Sequence, residues 1–281
     1  MNELEDLGNL LREKLLTKLD DLLERKPKKQ REPITLSGAG KCQRQAMYKI
    51  LGAEKHSWGW RQRITLEDGD HAHDQLRKYL KSALRTREHF RLVDQEKTVY
   101  LNVHGIIIRG HIDGKITRIC DCEEHRDWPR DTVLEVKTAG PYTYPKFSKG
   151  EIPKDYQAQA NAYMAALGIT DTLFMVKDKG TGNFVFIPYR FDEEMMKGIF
   201  ERLDRITKFI RGEGASTELE REHGPDKNGY LPFECNYCDY VLKCWKDRKP
   251  VKLNKKAVIY KVESEVFDIP EEIESLLEEK A

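Results

Sequence analysis

Two acidic side chains and a lysine fall into a pattern suited to phosphodiester chemistry. Along Ile106 to Asp113, strand alternation sets Ile106, Ile108 and Ile112 on one face and Arg109, His111 and Asp113 on the other. In Val133-Leu134-Glu135-Val136-Lys137 the same period of two brings Glu135 and Lys137 together, opposite Leu134 and Val136. Phosphodiester hydrolysis needs such a set. Carboxylates hold Mg²⁺, the ion polarises the phosphate and acidifies a bound water, and a nearby ammonium orients that water or steadies developing charge. Asp113 and Glu135 are the candidate metal ligands, and Lys137 is the group beside the nucleophile. His73 is a third candidate ligand, because it shares an inward stripe with Leu76 and Leu80 while His71, two residues away, faces elsewhere. An imidazole in the set favours Mn²⁺. Gln159 and Tyr163, at i and i+4 of one helix, are placed to brace the lysine or meet DNA. Tyr142, Tyr144 and Phe147 interleave with Lys146 and Lys149, the pattern of a surface that stacks bases and contacts phosphates of a single strand.

The six cysteines make a second constellation. Cys235-x2-Cys238-x5-Cys244 is a close trio that needs a fourth ligand from elsewhere, and Cys42 is the natural candidate. A zinc ion on the same four thiolates is the alternative to an iron-sulfur cluster. Cys120 and Cys122, followed by His125, lie in a polar connection before the glutamate strand; they read as ordinary free thiols, with a second metal site as the alternative.

The elements that must position these groups follow from periodicity. Leu4, Leu7, Leu11, Leu15, Leu19 and Leu22 mark an amphipathic N-terminal helix expected to pack on the body of the protein, with a basic linker through Arg31. Helices are expected over Ser37 to Leu51, from Asp68 through Leu84, over Pro153 to Leu167 and over Phe191 to Arg211. Strands are expected over Val93 to Leu101, Ile106 to Asp113, Val133 to Lys137, Leu173 to Val176 and Phe184 to Ile187. The expected organisation is an N-terminal helix and linker over 1–31, a main body over 32–250, and a tail with an acidic helix over 251–281.

The order Gly69-x3-His73, Gly110-His111-Ile112-Asp113, Leu134-Glu135-Val136-Lys137-Thr138 and Gln159-x3-Tyr163 resembles the RecB-type branch of the PD-(D/E)XK nucleases over roughly residues 35 to 245. Ile112 stands where the family name places proline. The resemblance implies an α/β fold with a central mixed sheet flanked by helices, metal held by His73, Asp113 and Glu135, a catalytic Lys137, and Gln159 and Tyr163 completing the site. Around Cys42, the run Ser37 to Arg44 is similar to the start of iron-sulfur nucleases in the AddB group and the fourth family of CRISPR-associated proteins. That likeness implies a 4Fe-4S cluster on Cys42, Cys235, Cys238 and Cys244, stapling N- and C-terminal parts. The implied activity is a DNA exonuclease on single strands or ends, either of phage or mobile-element type in recombination or replication, or trimming DNA for CRISPR adaptation. Partners would be an integrase, recombinase or helicase, and no G-x4-G-K-[ST] phosphate loop supplies a motor in this sequence. A non-catalytic DNA-binding module keeping fold and cluster is the alternative from another class.

Composition bounds these readings. Lysine and arginine (49) nearly cancel aspartate and glutamate (48), so DNA binding must rest on local patches rather than net charge. With 39% hydrophobic and 35% charged residues, the 281-residue chain has the balance of a folded domain with a highly charged surface. The N-terminus carries charges every few residues and no apolar block, and no run approaches the roughly 18 residues that span a bilayer. The expected location is the cytoplasm, or a host's cytoplasm for a viral protein, where six cysteines serve as ligands and buried thiols rather than disulfides.

Overall fold

The computed structural model describes residues 9–15, 18, 34–56, 60–84, 89–213, 218–253 and 259–262. The chain divides into two compact units, one made of Met1–Lys41 and Trp58–Ala215, the other of Cys42–Ser57 and Ser216–Ala281.

The first unit is built on a five-stranded sheet. Its strands are β1 (Phe90–Val93), β4 (Gly114–Arg118), β5 (Asp131–Ala139), β6 (Asp171–Asp178) and β7 (Phe184–Arg190), in that spatial order. Only β5 and β6 run parallel; the other neighbours are antiparallel. A parallel pair needs a long crossover. The helices α3 (Tyr144–Ser148) and α4 (Lys154–Leu167) provide it. Strands β2 (Thr98–Val103) and β3 (Ile106–His111) form a separate hairpin. Its turn has positive φ at both His104 and Gly105, as a two-residue primed turn requires.

Two helices cover the sheet's neighbourhood. On α2 (Trp60–Ala83) Leu76 packs with Leu134, Val136 and Met175, and Leu80, Leu92 and Ile116 close around them. On the other side of β5, α4 carries Gln159 toward Glu135. Alternation along β5 therefore separates the two jobs of the strand: Leu134 and Val136 serve the core under α2, while Glu135 and Lys137 share the opposite face. Helix α4 ends at Gly168, whose left-handed φ of 66° is the usual helix stop. Helix α5 (Glu193–Ile210) starts where Asp192 accepts a hydrogen bond from the Met195 N–H at 2.9 Å, and it buries Met196, Ile199, Leu203 and Ile206 along one stripe.

In the second unit, α1 (Gln43–Ile50) starts directly after Cys42, and α6 (Phe233–Asn236) and α7 (Val241–Cys244) carry the late cysteines. Gln43 reaches the Glu222 carboxylate and the Glu220 carbonyl, and Arg44 pairs with Glu218 at 2.5 Å. The early and late segments are thus one packed body. Short strands β8 (Val251–Lys252) and β9 (Tyr260–Lys261) pair within the stretch read from sequence as a tail, and Tyr260 is buried.

Several elements depart from the sequence reading. The strand expected over Val93 to Leu101 is two strands, broken by a turn in which Asp94 and Glu96 both adopt φ of 53°. The strand expected to end at Asp113 stops at His111, and β4 begins at Gly114, so Asp113 lies in the break between two sheets. Helix α2 starts at Trp60, earlier than Asp68. Leu11 and Leu15 of the N-terminal leucine stripe are exposed rather than packed; the rest of that stripe, the basic linker and the acidic helix over 271–280 lie outside the described residues. No described helix is long and apolar enough to cross a membrane.

Candidate active site

Glu135 and Lys137 share one face of β5, and Asp113 stands at the residue that leads into β4, the neighbour of β5 in the sheet. The β4–β5 pairing begins with Gly114 opposite Leu134, so Asp113 and Glu135 occupy the next position, just before the start of β4. There the Asp113 carboxylate accepts the Val136 backbone N–H at 2.7 Å through Oδ2. Its Oδ1 lies 3.1 Å from His73 Nδ1 and accepts a 3.4 Å contact from the Arg77 guanidinium. Arg77 also holds Asp74 at 2.6 Å and pairs with Glu96. His73 and Arg77 sit at i and i+4 on α2, so one helix face delivers both to the same carboxylate.

Glu135 is 1% exposed and hydrogen-bonded to two side chains. Lys137 donates to Oε2 at 2.6 Å, and the Gln159 amide donates to Oε2 at 3.1 Å and Oε1 at 3.3 Å. The Gln159 amide also lies 3.4 Å from the Tyr163 hydroxyl, which donates to the His111 carbonyl at 2.8 Å. Tyr163 therefore ties α4 to the end of β3, one turn along the helix from the group that grips Glu135. Lys137 Nζ stands 4.9 Å above the Tyr156 ring, a cation–π contact that favours a charged ammonium.

Burial sets the electrostatics. Removal from water pushes the Glu135 carboxyl up to about 7, and Asp113 adds to the rise while the Lys137 ammonium opposes it. Burial also acts to raise Asp113, but the hydrogen bond and charge of His73, the Lys137 ammonium and the Val136 N–H outweigh it and hold this carboxyl below the ordinary value. For Lys137 burial disfavours the ammonium, yet Glu135 and Asp113 win and its pKa lies above the usual range. Tyr163 is raised by burial, so its phenol stays protonated and can donate. The pair of carboxylates is thus asymmetric: its partners hold Asp113 below the ordinary carboxylate value, and burial raises Glu135 above it.

Two carboxylates and an imidazole are a donor set for a hard divalent cation. Asp113 is held by Val136, His73 and Arg77, and Glu135 by Lys137 and Gln159, so a cation between them would compete with the Arg77 and Lys137 contacts. Arg77 and the ring of Tyr156 were not singled out in the sequence. Arg77 lies one helical turn beyond His73, which is the signal that could have found it.

The aromatic and basic loop is divided by burial. Tyr142 is 92% exposed, Lys146 and Lys149 are exposed and Tyr144 is half-buried. Phe147 is a correction to the expected stacking surface: it is 1% exposed and stacks on Tyr156 at a centroid distance of 6.3 Å, so it supports the ring beneath Lys137 instead of a base.

No family model matches the chain, and no curated protein matches it. It is similar, loosely, to solved structures. Crystal structures named SSO0001 (17% identity, TM-score 0.45, 83% of this chain and 96% of that one) and LHK-Exo in complex with dAMP (11% identity, TM-score 0.43, 64% and 89%) are among them. So is an alkaline exonuclease, LHK-Exo, from Laribacter hongkongensis (13% identity, TM-score 0.39, 62% and 89%). Likeness at this level carries no argument about chemistry, which rests on the side chains above.

In the second unit the four cysteines of the sequence motif are half-buried. Cys235, Cys238 and Cys244 each feel the charge of Cys42, and Cys235 feels both of the others. Burial pushes Cys235 up to about 12 and Cys238 to about 11; it raises Cys244 too, against the opposing hydrogen bond and charge of Arg221 and the charge of Arg44. The Arg221 guanidinium lies 4.3 Å from the Trp245 ring and donates to the Cys244 carbonyl at 3.1 Å. Gln45 Nε2 donates to Cys238 Sγ at 3.6 Å. Among the described residues, the ligand atoms drawn within 4.8 Å of one another around Cys42 belong to Glu222 and His223.

Proposed function

We propose that this chain is a divalent-metal-dependent DNA nuclease of the PD-(D/E)XK type, acting as an exonuclease on single strands or ends. The observation that carries it is the convergence of Asp113, at the entry to β4, with Glu135 and Lys137 of β5, and with Gln159 and His73 closing on them from two helices. His73, Asp113 and Glu135 would hold Mg²⁺ or Mn²⁺, which supplies Lewis acidity and an acidified water when bound. The chain's own residues do the remaining work. Val136 and His73 fix the Asp113 carboxylate. Gln159 orients Glu135 without adding charge, and Tyr163 anchors α4 to β3 so that the amide stays in place. Lys137, kept charged by Glu135 and Asp113 against the cost of burial and standing over Tyr156, is the group to orient the attacking water or meet negative charge developing on the phosphate. Tyr142, Lys146 and Lys149 are the exposed groups of the adjacent loop and would contact the strand.

Cys42, Cys235, Cys238 and Cys244 would bind a 4Fe-4S cluster. A single zinc ion on the same four thiolates is the alternative occupant. Arg44 and Arg221 beside Cys244 would offset the cluster's negative charge. Such a group would hold Cys42–Ser57 to the late segment, a structural role.

The test is direct. Purified protein should degrade linear DNA only with Mg²⁺ or Mn²⁺, and Lys137→Ala and Asp113→Asn should each lose activity by at least about 100-fold, the scale of removing one positioned charge. Cutting that survives both substitutions would sink the reading; DNA binding without metal-dependent cutting would favour a non-catalytic module. Anaerobically prepared protein should be brown with about four iron and four sulfide per chain, and a colourless zinc-loaded protein would reject the cluster.

A further inference from the structure

We propose that His89, Cys120, Cys122 and His125 form a structural zinc site in the first unit, separate from the carboxylate site and from the four-cysteine group. Sequence alone read Cys120 and Cys122 as free thiols, because the fourth member, His89, lies 31 positions earlier and no spacing rule connects it. The fold brings it in. The ligand atoms of all four residues lie within 4.8 Å of one another. Cys122 Sγ is 3.1 Å from His125 Nδ1 and 3.7 Å from His89 Nδ1, Cys120 Sγ is 3.5 Å from His125 Nδ1, and the two sulfurs are 3.0 Å apart.

These spacings match the edges of a small tetrahedron. Zinc with bonds of about 2.3 Å to sulfur and about 2.0 Å to nitrogen gives edges of about 3.3 to 3.8 Å, so the sulfurs need separate by less than about 1 Å. Two thiolates and two imidazoles, with no oxygen donor among the four, select zinc over magnesium or calcium. Both rings present Nδ1 inward. On His125, Nε2 is left 3.9 Å from the Glu124 carboxylate, the side on which an outer partner orients a ligand ring.

An aromatic flank shields one side of the cluster, while His89, Cys120 and Cys122 are half-buried. His125 is 7% exposed. Trp128 stands edge-on to it at 4.7 Å, Phe90 packs on it at 5.2 Å, and Phe90 and Trp128 stack on each other at 5.6 Å. Backbone bonds tighten the loop: the Ile119 N–H donates to the His89 carbonyl at 2.8 Å and the His125 N–H to the Cys122 carbonyl at 3.2 Å. Weak thiol donors do not by themselves draw four such side chains together.

The position gives the site its purpose. His89 directly precedes β1, and the other three ligands lie in the long connection from β4 to β5; these three strands are neighbours in the sheet. A metal clip closing that connection offsets its loop entropy and holds the register that pairs Gly114 with Leu134. Asp113 and Glu135 follow from that register, so the ion would be a positioning element for the carboxylates without touching them.

Metal analysis of full-length protein purified with zinc tests the proposal independently of nuclease activity. Cys120→Ser/Cys122→Ser should lose one zinc per chain relative to wild type while keeping the contents of the four-cysteine group; Cys42→Ser should keep that zinc. Cobalt(II) added to stripped wild type should give the visible bands of a tetrahedral sulfur-nitrogen site, absent from the double variant. Because the double variant could fail to fold, a second readout uses wild type alone. Alkylation followed by peptide mass spectrometry should find Cys120 and Cys122 protected by zinc and labelled after chelation. Equal zinc in wild type and double variant, or equal labelling with and without zinc, would overturn the site.

Discussion

The raised Glu135 carboxyl makes a stability prediction that needs no substrate. Moving this group from its ordinary 4.5 to about 7 on folding corresponds to about 3 kcal/mol at about 1.4 kcal/mol per factor of ten. The sign follows from which state binds the proton more tightly. The folded pKa is the higher one, so protonation favours the metal-free fold; the contribution is fully present below about pH 4.5 and is lost as the pH rises through about 7. At about pH 8.5 the fold carries the whole cost of ionising a carboxylate that is 1% exposed beside an ionised Asp113. Glu135→Gln removes the titration and keeps an amide that Gln159 can still meet. Urea unfolding of both proteins in chelator, at about pH 5 and about pH 8.5, should show the variant gaining about 3 kcal/mol relative to wild type between the two conditions. A difference that stays constant to within about 1 kcal/mol would refute the reasoning, since Glu135 would then behave as an ordinary solvated acid. A divalent ion that binds the ionised form should reverse the trend and stabilise wild type most at the alkaline end.

Other outcomes follow from packing. A methyl group at Gly110 would meet Tyr163 Cε1 at 2.6 Å and Leu36 Cβ at 2.8 Å, so Gly110→Ala should cost about 1–3 kcal/mol by overpacking, read by thermal unfolding, and should lower cleavage by shifting Tyr163. Leu76→Ala empties a fully buried position between α2 and β5 and should cost about 2–5 kcal/mol; because His73 sits on the same helix, metal titration should weaken in step. Tyr156→Leu removes the ring under Lys137 and should cost about 0.5–2 kcal/mol of ammonium stabilisation, seen as a several-fold loss in turnover with substrate binding little changed.

How much of this was legible beforehand depends on the range of the signal. The period of two along Val133 to Lys137 separated Glu135 from Leu134 correctly, because one face of β5 meets a core and the other a polar helix. His73 could be preferred over His71 because the helix stripe through Leu76 and Leu80 has a definite inward side. The turn at Asp94 to Glu96 was missed: it places non-glycine residues at positive φ, a choice imposed by tertiary pairing and not by turn-forming glycine or proline. Phe147 looked like an exposed aromatic because its neighbours are lysines, yet the Tyr156 ring it packs on comes from the next helix. His89 joined Cys120 and Cys122 only through the β1–β4 pairing, a long-range fact that local spacing does not carry.

The break at Asp113 has an experimental consequence. Beyond Gly114, β4 has no carbonyl left to offer its neighbour, and the Asp113 side chain supplies the missing acceptor to the Val136 N–H. The carboxylate is therefore also a rung of the ladder. Truncating it to alanine would strand a buried donor, at about 1–3 kcal/mol, and mix a folding defect into any loss of activity. Asparagine retains an oxygen for that N–H while withdrawing the charge, which makes it the substitution that separates what Asp113 does for the sheet from what it does for the reaction.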